Sequence, residues 1–326
     1  MPLIACPDNL YEAFLRAAKG KSGKQAVVAF RENLEQNLSN MGRKLLDGSF
    51  RFGQYHFFTI YDPKQRTICA ASFPERVAFH AIMRICHPVF DDFQVNDSYA
   101  SRLGKGTYAA LQRTKDDCRR YRWFAKIDIR KYFDSIHHQV LLNQLCRLFK
   151  DRILLGYFDQ LIRGYEVEEG RGLPIGNLTS QYFANHYLAL ADHFAREQLH
   201  QHAMVRYMDD ILLFDNDRQR LKQNLLLLAE YIRVELKLDI HAPVINQSRL
   251  GIPYLGYVVY ADRMRLNERS RRRFVHKMAY LSYALNTGLI HEREYAERAT
   301  CLMAFIDKAD TLHLKRRLAD IPGMYP

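Results

Sequence analysis

The chain has 326 residues, with 48 Lys plus Arg against 36 Asp plus Glu, a formal net charge of +12 and a pI of about 9.4. Its 48% hydrophobic content is enough for a real core in one large domain or two modest ones, and a basic chain of this size favours a polyanionic partner. Six scattered cysteines without a Cys-x-x-Cys pair argue against zinc and for reduced thiols in a cytosolic protein, and no run of 18 apolar residues is present to span a membrane.

Residues 8–19, from Asp8 to Lys19, read as a capped amphipathic helix with Tyr11, Phe14 and Leu15 on one face. A loop carrying Lys19, Lys21 and Lys24 follows. Its Gly20-Lys21-Ser22 lacks the upstream glycine of a phosphate loop. A second helix is expected over 27–48, ending near Gly48. Aromatic and β-branched residues make 55–61 a strand, Asp62-Pro63 a turn, and 66–71 a second strand. Pro74 then opens a helix running to about Cys86. Residues 98–122 are strongly basic, with Arg102, Lys105, Arg113, Lys115, Arg119, Arg120 and Arg122. A solvated helical face is one reading. Nucleic-acid contact is preferred, because Gly104 and Gly106 let backbone approach closely.

The next segments carry chemistry. An apolar run from Trp123 to Ile127 ends in Asp128 and is followed by Tyr132 and Phe133. Residues 182–199 place Phe183, Tyr187, Leu190 and Phe194 on one helical stripe, a core face rather than a base-stacking platform. Thr179-Ser180-Gln181 precede that helix and face any ligand at its start. Residues 205–214 form an apolar run interrupted by Asp209 and Asp210, which reads as a β-hairpin with two carboxylates at its tip. Adjacent acids repel unless a cation lies between them, and magnesium binds a few carboxylates together with substrate phosphates. A third carboxylate, Asp128, on a neighbouring strand is what two metals need to share one phosphate. A helix over 217–236 and a strand from Tyr254 to Tyr260 follow. From 267 the chain turns helical. Arg269, Arg271, Arg272, Arg273 and Lys277 are clustered, Phe274, Met278, Leu281 and Leu285 make a stripe, and further helices are expected at 291–307 and 311–319.

Five of these motifs, in order over roughly residues 20–265, resemble reverse transcriptases. Tyr207-Met208-Asp209-Asp210 is similar to the catalytic box, and the Asp128 segment to the first catalytic strand, with Phe133 at the steric-gate position. Pro174-Ile175-Gly176-Asn177-Leu178-Thr179-Ser180-Gln181 resembles the segment backing the nascent base pair. Tyr254-Leu255-Gly256-Tyr257 resembles the primer-grip hairpin, and Pro63-Lys64-Gln65-Arg66-Thr67-Ile68 the fingers strand that meets the triphosphate.

The resemblance implies an α+β right-hand polymerase fold. N-terminal helices and fingers would occupy 1–122, a palm with an antiparallel catalytic sheet 123–265, and a small helical thumb 266–326. No ribonuclease H, integrase or endonuclease domain is expected within this length. It implies an RNA-directed DNA polymerase using two Mg2+ ions, with Mn2+ able to substitute. Asp128 and Asp209 would serve both metals, the Ile129 carbonyl would add a ligand, and Asp210 would have a supporting role. Lys64, Arg66, Phe133, Gly176 and Gln181 would contact the nucleotide. Arg102, Lys105, Ile175, Leu255, Gly256, Arg271 and Arg272 would contact template and primer. Asp134 is expected to be a cap or turn residue.

Where most bacterial relatives have Gln-Gly and Ser-Pro, this chain has Ile175-Gly176 and Ser180-Gln181. That pattern resembles the enzymes of diversity-generating retroelements and related stand-alone or defence-associated enzymes. In the retroelement enzymes Ile at this position accompanies error-prone copying of template adenines. Expected partners are an RNA template, a DNA or RNA primer, dNTPs, a small basic accessory protein and a structured non-coding RNA, in the cytoplasm of a bacterial or phage-encoded system. The lysine thought to protonate pyrophosphate is missing from 239–248, so His241 or Lys237 replaces it or the step is unassisted. Sequence leaves diversification and antiviral defence open. The intact acids argue against an inactive RNA-binding scaffold.

Overall fold

Alternation along the Asp128 strand builds the centre of the molecule. In the computed structural model, which describes residues 1–61, 65–312 and 314, strand β1 is Tyr55–Ile60 and β2 is Arg66–Ala71. The palm strands are β3 Trp123–Ile127, β4 Met204–Tyr207, β5 Asp210–Asp215 and β6 Val244–Gln247, and a third sheet holds β7 Ile252–Tyr254, β8 Tyr257–Val259 and β9 Met264–Leu266. All named pairings are antiparallel, and the palm order is β4-β5-β3-β6. Ala125, Ile127, Ile211 and Leu213 point into the main core with the helices. Phe124, Val205, Leu212 and Phe214 point the other way, against Tyr254, Tyr257 and Leu111. Burial on both faces explains why β3 and β5 read as nearly continuous apolar runs.

The helix Phe73–Phe93 crosses the main core, opened by a Ser72/Glu75 capping box. It continues well past the expected end at Cys86. Pro88 removes one backbone donor, yet the last turns bury Phe90 at 3% exposure, which outweighs that loss. Pro7–Ala18 packs on it through Leu10, Ala13, Phe14 and Ala17, whereas Tyr11 and Leu15 are exposed. The expected Tyr11–Phe14–Leu15 face is therefore shifted by about one residue. Small alanines carry the contact, and Asp8 lies in the first turn instead of capping it.

The expected 27–48 helix is two helices, Gln25–Glu32 and Leu34–Asp47, broken at Asn33. The second ends at left-handed Gly48 (φ 78°). The expected 182–199 helix starts earlier, as Leu178–Tyr187, and continues as Ala189–His193 and a π turn, Phe194–Gln198. Thr179, Ser180 and Gln181 thus form its first turn. The expected Tyr254–Tyr260 strand is the β7–β8 hairpin. Leu255 (φ 47°) and Gly256 (φ 90°) both take left-handed conformations, as a two-residue turn between twisted strands requires. The helices Arg218–Val234, capped by Asp217, and Thr107–Arg120 flank the palm.

Asn267 caps Glu268–Asn286 by accepting from the Ser270 N–H, and Glu292–Ile306 packs against that helix. Phe274, Met278, Leu281, Tyr295, Ala299 and Ile306 give this pair its own small core, as the stripe predicted. The expected 311–319 helix and the Asp62-Pro63 turn lie largely or wholly outside the described residues. Among the described residues no helix is long and apolar enough to cross a membrane. The six cysteines are free, and three of them are buried.

Candidate active site

Tyr207 pairs with Asp210, so Met208 and Asp209 form the tip of the β4–β5 hairpin, with Met208 at φ 52°. A methionine there needs outside support. Arg206 supplies it: its Nη1 donates to the Met208 carbonyl at 3.1 Å and to Asn185 Oδ1 at 2.8 Å. Its Nε donates to Asp192 Oδ2 at 2.7 Å, and its Nη2 to Gln94 Oε1 at 2.9 Å. Arg206 has 0% exposure, yet every guanidinium nitrogen is engaged. Sequence reading passed over it. The available signal was a lone arginine within a strand of apolar neighbours, which is rarely buried without a partner.

Asp128 follows β3 with an exposed side chain. Its carbonyl accepts the His241 N–H at 2.8 Å, and the Arg130 N–H donates to the Asp239 carbonyl at 2.9 Å. Ile129 faces Ile240 between these two bonds, so its own carbonyl points away from that segment. Continuing the β3–β5 register by one residue sets Asp128 opposite Asp210. The carboxyl of Asp209 is pushed up to about 6 by burial, then by Asp210 and Asp128, while Arg66 acts in the opposite sense. The three acids and Arg66 therefore share one electrostatic site. Lys64 lies outside the described residues.

Lys126, also unnoticed in sequence, donates from Nζ to Asp210 Oδ1 at 3.0 Å and to the Pro253 carbonyl at 3.3 Å. The Tyr254 hydroxyl donates to the Asp210 carbonyl at 3.4 Å. Asp210 is thus tied to the β7–β8 hairpin and to a cation of its own strand's neighbour. Lys126 is the one charge in Trp123–Ile127, two residues before Asp128, and that placement was its signal.

Phe133 is half-buried, with its ring 5.8 Å from Tyr132 at 72°. Its carbonyl accepts the Leu173 N–H at 2.8 Å, which joins it to the 173–176 segment. The Ile175 carbonyl accepts the Cys69 N–H at 2.8 Å. Gly176 has φ 116°, and a Cβ there would lie 2.9 Å from Ile68 Cγ2 and 3.1 Å from the Cys69 carbonyl oxygen. Only glycine allows this segment to lie so close to β2. Gln181 is exposed beside it. Asp134 sits in the first turn of the short helix Tyr132–Ser135, with burial raising its pKa.

The expected template contacts are more committed than the sequence suggested. Arg102 donates to Asp91 at 2.6 Å and to the Val95 carbonyl at 2.7 Å, as a loop staple. Lys105 Nζ bonds the Asn96 carbonyl at 2.6 Å and lies 4.8 Å from the Tyr99 ring centre. Arg271 and Arg272 are exposed but both pair with Glu268. A Cβ at Gly256 would meet Ser270 Oγ at 3.0 Å, so the Leu255–Gly256 turn is packed against the start of the following helix. The His241 side chain is exposed beside Asp128, whose carbonyl its N–H bonds, and the Lys237 side chain is also exposed.

Carboxylates and an outward carbonyl suit a hard cation such as magnesium. Among the described residues no three His, Cys, Asp or Glu side chains form a ready metal cage. The donors therefore fit an open site that substrate phosphates would complete.

The palm sheet, its acidic hairpin and the flanking helical layers define a right-hand polymerase fold. Residues 63–259 match the reverse transcriptase (RNA-dependent DNA polymerase) family, and the chain belongs to that family. It is 24% identical over 205 residues to the putative COX1/OXI3 intron 1 protein of Saccharomyces cerevisiae, covering 59% of this chain and 24% of that protein. It is 23% identical over 154 residues to protein YkfC of Escherichia coli, covering 43% and 40% respectively. The chain thus spans less than half the length of these curated relatives. Among solved structures, telomerase from Candida tropicalis in complex with a TWJ fragment of telomeric RNA aligns with a TM-score of 0.51 at 10% identity. That alignment covers 83% of this chain and 56% of that one.

Proposed function

We propose that the protein is an RNA-directed DNA polymerase, joining dNTPs to a primer 3′-hydroxyl on an RNA template. The observation that carries this reading is the Asp209–Asp210 hairpin held against Asp128, where the acids' mutual repulsion helps push Asp209 to about 6. Such an arrangement is costly without a cation and useful with one. Asp128 and Asp209 would hold two magnesium ions with help from the Ile129 carbonyl, and the bound ions would activate the 3′-hydroxyl and stabilise the departing pyrophosphate.

The chain's own residues do the rest. Lys126 holds Asp210 back, in keeping with a supporting role. Arg66, with Lys64, neutralises the triphosphate. Phe133 lies under the sugar, Gly176 and Gln181 back the new base pair, and Leu255–Gly256 supports the primer.

Asp128→Asn and Asp209→Asn test this reading. Each is expected to lose primer extension while keeping RNA binding, with a melting temperature in magnesium-free buffer that stays level or rises. Retained synthesis by either purified variant would overturn it.

Within this class we assign the chain to the diversity-generating retroelement type, supported by Ile175-Gly176 and Ser180-Gln181. Its partners would then include a repeat-derived template RNA and a small basic accessory protein. A defence enzyme with a dedicated non-coding RNA uses the same chemistry. Sequencing the RNA and cDNA that copurify separates them: adenine-biased errors support diversification, and faithful copies of one structured RNA support defence.

A further inference from the structure

Trp123 and Tyr260 stand at the strand ends farthest from the catalytic acids and the primer turn. Trp123 opens β3, whose other end leads into Asp128, about 16 Å away at the usual rise of a strand. Tyr260 follows β8, whose other end is the Leu255–Gly256 turn. Arginines gather on both rings. The guanidiniums of Arg122 and Arg218 lie 5.6 and 5.3 Å from the Trp123 ring centre. Those of Arg263 and Arg265 lie 4.8 and 5.9 Å from the Tyr260 ring centre.

The two groups belong to one surface. The Arg122 carbonyl accepts the Ser248 N–H at 2.9 Å, and the Ser248 carbonyl accepts the Gly251 N–H at 3.0 Å. Gly251 abuts Tyr260, since a Cβ there would come within 2.7 Å of that ring. Arg249 stands on this bridge, exposed, with its Nε donating to Gln247 Oε1 at 2.6 Å. Arg119, near the end of the helix Thr107–Arg120, donates to the Ala261 carbonyl at 2.5 Å and joins that helix to the same surface.

The acids nearby are already committed. Asp116 pairs with Arg119 at 3.3 Å, Asp215 with Arg220 at 2.6 Å and Asp262 with Arg263 at 2.8 Å, while Asp217 caps the helix Arg218–Val234. Arg122, Arg218, Arg249 and Arg265 are exposed and make no ion pair among the described residues. Cations gathered without a counter-charge repel one another, and a polyanion laid across them removes that cost. A guanidinium already held on a ring loses less freedom when it takes a phosphate, and its planar fork fits two phosphate oxygens.

The rings also select among polyanions. Trp123 and Tyr260 are occupied in holding arginines, so they order cations instead of stacking unpaired bases. Phosphate contact without base stacking suits a base-paired stem, whose rigid backbone reaches cations on several chain segments at once. We propose that this end of the palm docks a double-helical stem of a folded RNA, gripped through its phosphates by Arg122, Arg218, Arg249 and Arg265. The surface is separate from the acidic site, so the protein could hold this stem while a primer–template occupies that site. The proposal stands without the polymerase reading.

The test is anisotropy of a labelled RNA hairpin with a stem of about twelve base pairs, read without dNTPs in the presence of saturating unlabelled primer–template. The wild type is expected to bind the hairpin under these conditions. In Arg218→Gln/Arg249→Gln/Arg265→Gln the salt slope for the hairpin should fall by about two to three units, with primer–template affinity unchanged. The pair Arg249→Gln/Arg265→Gln leaves both Trp123 contacts in place and serves if the triple variant folds poorly; its slope should fall by about two units. Complete displacement of the hairpin by primer–template, an unchanged slope in a folded variant, or equal weakening on both nucleic acids overturns the proposal. So does an unpaired RNA of equal length that binds as tightly as the hairpin. Polyglutamate that competes as well as the hairpin in the wild type, but not in the variant, would assign the surface to an acidic protein instead and overturn the RNA stem.

Discussion

Arg206 and Asp192 are both essentially excluded from solvent, and their ion pair, 2.6 Å from Nη2 to Oδ2, stands behind the turn that presents Asp209. Arg206→Met leaves the Asp192 carboxylate buried and unpaired, which costs about 3–5 kcal/mol. A large fall in melting temperature is expected. Arg206→Met/Asp192→Leu removes both charges and should recover part of that stability. It should not recover DNA synthesis, because the Met208 carbonyl still lacks its donor. Equal melting temperatures for the single and double variants would show that the pair is not the source of the loss.

His186 gives the fold a pH dependence. Packed against Phe90 and Phe93, it is lowered to about 4 from 6.5, chiefly by burial and then by Arg206. The unfolded chain therefore binds a proton that the folded chain refuses. Stability from this residue is complete above about 6.5 and is lost as pH falls towards 4, amounting to about 3 kcal/mol at most. Asp209 has the opposite sign, since its raised pKa makes protonation favour the metal-free folded state between about 4 and 6. The measurement is thus a difference: His186→Phe should melt with a shallower acid loss than wild type over pH 6.5–4. Parallel curves would remove His186 as the cause.

What was legible in the sequence was what local order dictates. β2 was expected at 66–71, the residues it occupies, because the Asp62-Pro63 turn sets where it starts. The acids at 128, 209 and 210 stood out because charge interrupts apolar strands. Arg206 and Lys126 did not, since their meaning lies in partners 14 and 84 residues away: Asp192 and Asp210. The break at Asn33 and the helix running through Pro88 were missed for a related reason. At Pro88 tertiary burial of Phe90, rather than local propensity, decides the outcome. Residue types alone make Tyr254–Tyr260 one strand, because Leu255, not a glycine, occupies the first left-handed position, and the hairpin there was legible only through the resemblance.

The helix Glu268–Asn286 tests how much of a basic cluster is available to nucleic acid. Arg271 and Arg272 both bond Glu268, so phosphate must compete with a carboxylate. Arg271→Gln/Arg272→Gln is therefore expected to reduce the salt slope of primer–template binding by less than the roughly two units of two unencumbered contacts. Glu268→Gln should tighten binding by freeing both. Titrations at several salt concentrations measure each slope. No change in either variant would make this face a solvated surface.

In the proposed polymerase, Phe133 and Ile175 would govern selection in different ways. The bond from Leu173 to the Phe133 carbonyl fixes its backbone, and its half-buried ring packs against the main core with Tyr132 5.8 Å away. A ring beneath the sugar excludes a 2′-hydroxyl by clash rather than by attraction. Phe133→Ala should gain ribonucleotide incorporation while deoxynucleotide incorporation changes less. Ile175 is held through its backbone, its carbonyl accepting from Cys69, so a change of side chain leaves that bond in place. Its aliphatic side chain offers no polar contact to a template base. Ile175→Gln should therefore lower misincorporation, most clearly opposite template adenine. Single-nucleotide kinetics on an RNA template measure both effects. An unchanged ribose-to-deoxyribose ratio in Phe133→Ala would remove the gate, and an unchanged error spectrum in Ile175→Gln would remove the residue-level argument for mutagenic copying.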